Sequence, residues 1–507
     1  MNKKILKLSS FEKIIFRLKS KKKKIVLCHG VFDLLHVGHI KHFEEAKKQG
    51  DILIVSITTD KFVIKGPNRP AFNEKLRADA LAALQAIDYV VVSNFPTATA
   101  ILQKIKPNIY CKGNEYKNFK NDTTGEIKNE NKVLKKFGGK IFFTSGITFS
   151  SSNLLNKFSD ESSKTQKKLM RIIKKKHSFE EIKSNFENFK KLKVLVIGEL
   201  IIDQYFFCEA IGKSGKEAIL VLKENNNEKY IGGAGAICRH LSQFCKKISL
   251  VTMLGEKAEE LREIKKGFTK NININFIKKK NSPTIIKKRF IDYINSKKVI
   301  GVDVLNDDPL EKKNEMDLKR IINKEIPKHD VVIVSDYGHG LISKNNAKLI
   351  CKKSKNLFLN AQINSANVGY HSILNYMNFK CLVINEKELR HELRNKSEKV
   401  ESLMKKLSIK HKIMYLVVSR GNQGAILYNK FNNKFYYSEA FAKNIQDKVG
   451  AGDALLSLLS LCLASKLPNE LSLLSGSLAA AQSVETIGNK ESINKTKILK
   501  FIEHILK

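Results

Sequence analysis

The chain has 507 residues, too many for one ordinary domain, and its 42% hydrophobic content suits core-forming domains rather than a disordered polymer. Lysine and arginine outnumber aspartate and glutamate by 92 to 50, a formal net charge of +42. The excess is mostly lysine spread through every segment, which disfavours a dedicated nucleic-acid surface yet draws in anionic substrates.

The N-terminal stretch scatters lysines among its apolar residues and has no small-residue cleavage site, so it does not read as a secretory signal. The longest apolar run, Ala454 to Ala464, is far short of the roughly 20 residues of a membrane span. Eight cysteines are dispersed without a CxxC pair. The expectation is a soluble cytoplasmic protein with no membrane partner.

In chain order, short β-branched runs begin at Lys24, Asp51, Asp88, Asn108 and Lys140, with helical stretches between them such as Asn73 to Ile87. Continuous apolar strands separated by helices imply a parallel sheet covered on both faces, whose ligands bind at the carboxyl ends of the strands. The pattern stops near Leu155, and residues 156–192 read as a charged, partly helical linker in which Ser178 and Glu181 form a capping box. A second series of strands opens at Val194 and includes VVIVSD, LFLN, CLVIN and YLVVS. The fold class is α/β, with two domains at 1–155 and 193–507.

Two stretches carry chemistry. CHGVFDLLHVGHIKH, Cys28 to His42, holds four of the chain's twelve histidines. Its pattern predicts a strand ending at Cys28, a turn at Gly30 and a helix beginning near His36. A helix start with free N–H groups favours phosphate, and His36 and His39, three apart, share one side of the first turn. A zinc site using His29 or His42 as a third ligand is the rival reading, and packed histidines without a role are the bland one. The glycines at 30 and 38 suit close approach to phosphate and have no purpose around zinc. Further along, DKVGAGD places Gly450, Ala451 and Gly452 before a long apolar helix, so that their N–H groups can form an anion hole. Asp453 then stands ready to accept a proton from an attacking hydroxyl, unless it is simply a capping acid.

The segment from Gly30 to His39 resembles the GxFDxxHxGH signature of cytidylyltransferase-like nucleotidyltransferases, and the likeness extends from about residue 4 to 155. It implies a Rossmann-like doubly wound fold in which His36 and His39 stabilise the in-line transition state. It makes Gly30, Phe32, Lys65, Arg69, Arg77, Lys112, Gly113, Ser150 and Ser151 nucleotide or phosphate contacts. The likeness is strongest to the adenylyltransferase half of bifunctional ADP-heptose synthases.

From about Lys193 onward the chain resembles the ribokinase-like (PfkB) carbohydrate kinases. The motifs IGGAGA, VSDYGHG, INEKEL, SRGNQG and DKVGAGD occur in the family's order. The resemblance implies Asp453 as catalytic base and Gly450, Ala451 and Gly452 as its anion hole. Asn385, Glu388, Ser419, Gly421 and Gly424 would serve nucleotide and phosphate. Asp203, Gly232, Gly233 and Asp336 would serve the sugar.

Two positions depart from the family pattern: Ala236 where an asparagine is usual, and Asn360-Ala361-Gln362 where heptose kinases carry Asp-Pro-Lys. The domain order is also the reverse of the familiar heptose enzyme. What the resemblances imply is an enzyme with two activities: an ATP-dependent kinase of a sugar phosphate, heptose 7-phosphate at O1, and a nucleotidyltransferase converting the sugar 1-phosphate to an ADP-sugar. The alternative is a CTP-dependent transferase for a polyol or other sugar phosphate, fused to a kinase of different specificity. ATP (or CTP at the N-terminal site) and Mg²⁺ are the implied cofactors, no protein-held metal site is expected, and a homodimer is compatible with this reading.

Overall fold

The computed structural model describes residues 3–6, 8–63, 70–117, 126–145, 164–294, 297–363, 367, 371–442 and 444–506. The chain divides into two compact units, Met1–Ser162 with Leu499–Lys507, and Ser163–Ile498.

The first unit is built on a six-stranded sheet, β1 (Ile5–Leu6), β2 (Ile25–Gly30), β3 (Ile52–Thr58), β4 (Tyr89–Ser93), β5 (Ile109–Gly113) and β6 (Lys140–Thr144), in the order β1-β4-β3-β2-β5-β6. Every pairing is parallel. The interior strands read as unbroken apolar runs because helices cover both faces: Ile25 to Cys28 and Leu53 to Val55 are fully buried. From β2 the chain winds one way through β3 and β4, then returns to place β5 on the other side of β2. The crevice at the carboxyl ends of β2 and β5 is therefore the topological switch point of the sheet. The helix expected from Asn73 to Ile87 is shorter, Glu74–Ala82, with the Asn73 side chain capping the Leu76 N–H.

The second unit opens with two helices, Lys164–Lys176 and Phe179–Asn188. They bury Leu169, Ile173, Ile182 and Phe186, so this part of the charged connector belongs to the second unit. Ser178 caps the second helix by accepting from the Glu181 N–H.

A nine-stranded sheet follows, made of β7 (Lys193–Gly198), β10 (Lys247–Gly255), β11 (Ile272–Lys279), β14 (Val331–Asp336), β15 (Leu357–Ala361), β16 (Cys381–Asn385), β17 (Tyr415–Ser419), β18 (Ala425–Asn429) and β19 (Lys434–Ser438). Its order is β11-β10-β7-β14-β15-β16-β17-β18-β19. The strands through β17 are parallel, and β18 and β19 close the edge antiparallel. Here the winding reverses between β7 and β14.

A separate four-stranded sheet, β13-β12-β8-β9, is inserted between these elements. It comprises β8 (Leu200–Lys213), β9 (Leu220–Gly232), β12 (Ile286–Asp292) and β13 (Lys298–Val304). Polar residues interrupt its strands and β13 is almost wholly exposed, so no run of apolar residues announces it in the sequence.

Candidate active sites

In the first unit, β2 delivers Gly30 to the switch point and the chain turns sharply into the helix Val37–Lys47. Phe32 holds a left-handed backbone with φ of +47°, a strained conformation for a bulky residue that the surrounding turn must impose. A Cβ at Gly30 would lie 3.0 Å from the Phe32 ring, so glycine gives the ring room to fold back over the strand end. His36 is the N-cap of the helix: its Nδ1 accepts from the Gly38 N–H at 3.1 Å. That bond leaves Nε2 as the nitrogen able to carry a donor proton. The His36 and His39 rings stack with centroids 4.0 Å apart, and Phe32 meets His39 edge-on at 5.5 Å.

The other two histidines turn elsewhere, so the four do not gather round one point. His29 Nδ1 lies 3.1 Å from Ser56 Oγ and its Nε2 is 3.4 Å from Thr58 Oγ1, both on the neighbouring strand β3. Burial holds its pKa down at about 3, so it is neutral. Its ring is thus tied to β3 and is half-buried. His42 Nδ1 pairs with Thr144 Oγ1 at 2.8 Å and ties the helix to the end of β6, with burial holding its pKa near 4.

Asp33 completes the turn. Its buried carboxylate accepts from the N–H groups of Ala71 (2.7 Å) and Phe72 (3.1 Å), pinning the loop that precedes Glu74–Ala82.

Arg77 requires a correction. Expected at a phosphate, its side chain is 0% exposed. The guanidinium donates to Phe72 O (2.9 Å), Val31 O (2.5 Å), Thr58 O (2.8 Å) and Asp60 Oδ1 (2.6 Å). A guanidinium so surrounded is a peg between the ends of β2 and β3, out of reach of a ligand. Lys112 and Gly113 stand at the carboxyl end of β5, across the crevice from Gly30; the Lys112 ammonium is ion-paired with Glu130 at 3.0 Å. Lys65, Arg69, Ser150 and Ser151 lie outside the described residues.

In the second unit the candidate residues meet where the winding reverses. Gly450 ends the approach loop at φ +85° and starts the helix Ala451–Ala464. A Cβ there would lie 2.1 Å from Asn489 Oδ1, so glycine is required twice over, for the angle and for the space. Gly452 faces open space, which leaves its surroundings free for an incoming group.

Asp453, in the first turn, accepts a hydrogen bond from the Tyr337 hydroxyl at 2.8 Å. Burial pushes its pKa up to about 7 against the opposing pull of that bond. A carboxylate with that pKa is matched to taking a proton at neutral pH. Tyr337 follows β14, and its N–H donates to Glu199 Oε2 (3.0 Å) while His339 N–H donates to Oε1 (3.1 Å). Glu199, just after β7, thus shapes the turn that aims Tyr337 at Asp453. Burial, with the nearby Asp336 charge, raises its own pKa to about 7.

Asp203 on β8 pairs with Arg289 on β12, and a Cβ at Gly232 would come within 2.2 Å of its Oδ2. Gly232 is the N-cap of the helix beginning at Gly233, so these glycines bring a helix start up to Asp203. Ala236 lies buried inside that helix.

Asp336 is the second correction. Its carboxylate accepts from the Tyr376 hydroxyl (2.7 Å) and the Gly338 N–H (3.0 Å) and is nearly inaccessible, so it braces the turn from within instead of meeting a sugar. Asn360 likewise turns inward, donating to Val383 O at 2.7 Å.

Asn385 and Glu388 form a reciprocal capping box at the helix Glu386–Glu392, and burial raises the Glu388 pKa to about 7. Glu386, between them, accepts from Arg420 Nε at 2.8 Å. Arg420 sits in the turn Ser419 to Gly424 joining β17 to β18, with Gly421 and Gly424 both at positive φ, so the two expected nucleotide segments are physically linked. Glu199 and Arg289 were not singled out from the sequence, and Tyr337 and Asp447 entered only as members of motifs, without a role. Tyr337 lay within a quoted motif, and Glu199 follows β7 at the place where ligands gather, which is the signal that could have found both.

Among the described residues no group of three or more His, Cys, Asp or Glu could hold a metal ion. Asn385 and Glu388, beside the expected nucleotide segment, carry oxygen donors of the kind a hard cation such as Mg²⁺ takes. No helix among the described residues is long and apolar enough to cross a membrane.

The molecule is thus a two-domain α/β protein, a Rossmann-like nucleotidyltransferase-like unit followed by a ribokinase-like unit. The model of pfkB family carbohydrate kinases matches residues 191–496, and the chain belongs to that family. The cytidylyltransferase-like model matches residues 27–157. Among curated proteins, the chain is similar to the bifunctional protein HldE of Aliarcobacter butzleri, 41% identical over 25% of this chain and 27% of that one. It is similar also to the HldE proteins of Geobacter metallireducens (37% identical, 30% and 31% covered) and Helicobacter pylori (44% identical, 22% and 25% covered). The matched stretch spans about a quarter to a third of each relative. Among solved structures, Escherichia coli phosphofructokinase-2 with substrates and products superposes at a TM-score of 0.51, 15% identical, covering 62% of this chain and all of that one. The same enzyme in complex with potassium gives 0.51, 15%, 62% and 99%. At this identity the likeness is one of fold.

Proposed function

We propose that the chain is a cytoplasmic bifunctional sugar-nucleotide enzyme, with a C-terminal kinase acting on O1 of heptose 7-phosphate and an N-terminal transferase that makes an ADP-sugar from the sugar 1-phosphate. The observation that carries the kinase half is Asp453, half-buried, hydrogen-bonded to Tyr337 and held at a pKa of about 7 in the first turn of a glycine-started helix. Asp453 takes the proton of the sugar hydroxyl as its oxygen bonds to the γ-phosphorus and the bond to ADP breaks. The N–H groups of Gly450, Ala451 and Gly452 hold the transferring group. Asp203 orients the sugar, and Ser419, Gly421 and Gly424 hold the nucleotide. Asn385 and Glu388 would hold Mg²⁺, which would supply neutralisation of the triphosphate charge.

At the N-terminal site an oxygen of the sugar 1-phosphate attacks the α-phosphorus and pyrophosphate leaves. His36 and His39 donate hydrogen bonds to the phosphoryl oxygens as charge builds. Gly30, Phe32 and Gly113 shape the crevice, and Lys65, Arg69, Lys112, Ser150 and Ser151 bind phosphate. A phosphatase step falls between the two reactions, so the units need not pass an intermediate directly.

The test incubates the protein with ATP or CTP and a panel of sugar phosphates and sugar 1-phosphates, measuring phosphoryl transfer and pyrophosphate release. ATP-dependent pyrophosphate release with heptose 1-phosphate is expected. Release with CTP alone, from a polyol or other sugar phosphate, would replace this reading with the cytidylyl one.

A further inference from the structure

Asp447 lies six residues before Asp453 and joins four parts of the second unit. Its carboxylate is 3% exposed and accepts from the Tyr205 hydroxyl (2.7 Å, Oδ2), Lys298 Nζ (2.5 Å, Oδ1), Val449 N–H (3.1 Å, Oδ1) and Gly488 N–H (3.1 Å, Oδ2). Tyr205 is on β8 and Lys298 opens β13, so both belong to the small sheet. Val449 is in the approach to Gly450, and Gly488 neighbours the Asn489 side chain packed against Gly450. Burial works to raise the Asp447 pKa, but the hydrogen bonds from Lys298 and Tyr205 and the Lys298 charge hold it below its usual value, so it is an anion.

Asp203, the candidate sugar contact, is carried by β8 of the same sheet, two residues before Tyr205. Lys298 is at the start of an edge strand whose residues are otherwise exposed, and its own side chain is 39% exposed. Its ammonium therefore contributes little to any core. What it does is tie the edge of the small sheet to the phosphate loop.

We infer that Lys298 is a positioning residue for phosphoryl transfer, whose ion pair with Asp447 latches the sugar-bearing small sheet to the loop that holds the transferring group. Without the latch the sheet and the loop keep their folds but lose their register, and the hydroxyl and the phosphorus are misaligned. The inference rests on the kinase reading for its consequence, and on geometry alone for the latch.

The experiment uses the full chain with Lys298→Met and Lys298→Arg. Amide hydrogen exchange across residues 449–453 is followed without ligand, and kcat and KM are measured for phosphorylation by ATP. In Lys298→Met the loop amides are expected to exchange about tenfold faster with β14 unchanged, as loss of one charge-assisted bond implies. kcat should fall about tenfold or more, with KM for ATP within about twofold. Lys298→Arg, which keeps the charge, should recover both to within about threefold. Unchanged exchange in Lys298→Met overturns the latch, and faster exchange with unchanged kcat overturns its role in transfer. A wild-type chain that phosphorylates no sugar phosphate sinks the kinase reading and that role with it, while the exchange comparison still decides whether the latch exists.

Discussion

The two candidate sites have the same scaffold logic and opposite acid–base character. Each lies at the carboxyl ends of parallel strands where the winding of its sheet reverses, and each presents the start of a helix to phosphate. The second holds a half-buried carboxylate with its pKa raised to about 7. The first presents stacked imidazoles and a lysine whose ammonium is paired with the Glu130 carboxylate. Under the proposed function, the difference follows from the nucleophile. A sugar hydroxyl must lose a proton as it attacks, so its site needs a base; a sugar phosphate oxygen is already an anion, so its site needs only donors and cations.

That contrast can be broken by substitution. The largest effect is expected from Asp453→Asn, which removes the base while keeping an acceptor for Tyr337: phosphorylation should fall by about 10³-fold, with nucleotidyl transfer unchanged, as measured by coupled assay of each activity. His39→Ala should do the reverse, lowering nucleotidyl transfer by about 10²-fold through loss of a transition-state donor. Stability sharpens the comparison further. Because the folded-state pKa of Asp453 is raised, its ionisation costs stability progressively as pH rises from about 4 to about 7. Asp453→Asn should therefore be more stable than wild type at pH 8, on the order of a few kcal/mol, and lose that advantage at pH 4; denaturant melts at the two pH values measure this. Arg77→Met removes the donor from the Val31, Thr58 and Phe72 carbonyls and from the partly exposed Asp60, and should destabilise the first unit by about 2 kcal/mol. The smallest effect belongs to His42→Ala, about 1 kcal/mol from one lost hydrogen bond with transfer activity retained.

Much of the fold was readable from residues alone because its signals are local. Buried parallel strands are runs of apolar residues, and Gly233 and Gly450 mark positive-φ positions that favour glycine. Direction is what residue type does not carry. Arg77 and Asp336 have the charge expected at a ligand, yet one points into the sheet and the other into its own turn. The small sheet escaped because exposed strands lack apolar patterning. The node at Asp447 escaped because its partners Lys298 and Tyr205 are 149 and 242 residues away in the chain.

The central claim, two independent phosphate sites of opposite acid–base character in one chain, is tested most directly by the pH dependence of kcat/KM for both activities in the same preparation. Phosphorylation should fall about tenfold for each pH unit below 7 as Asp453 takes up its proton, while nucleotidyl transfer shows no break assignable to a carboxylate there. A kinase profile flat from pH 5 to 8, or a transfer reaction that falls in parallel with it and is lost in Asp453→Asn, would contradict the account.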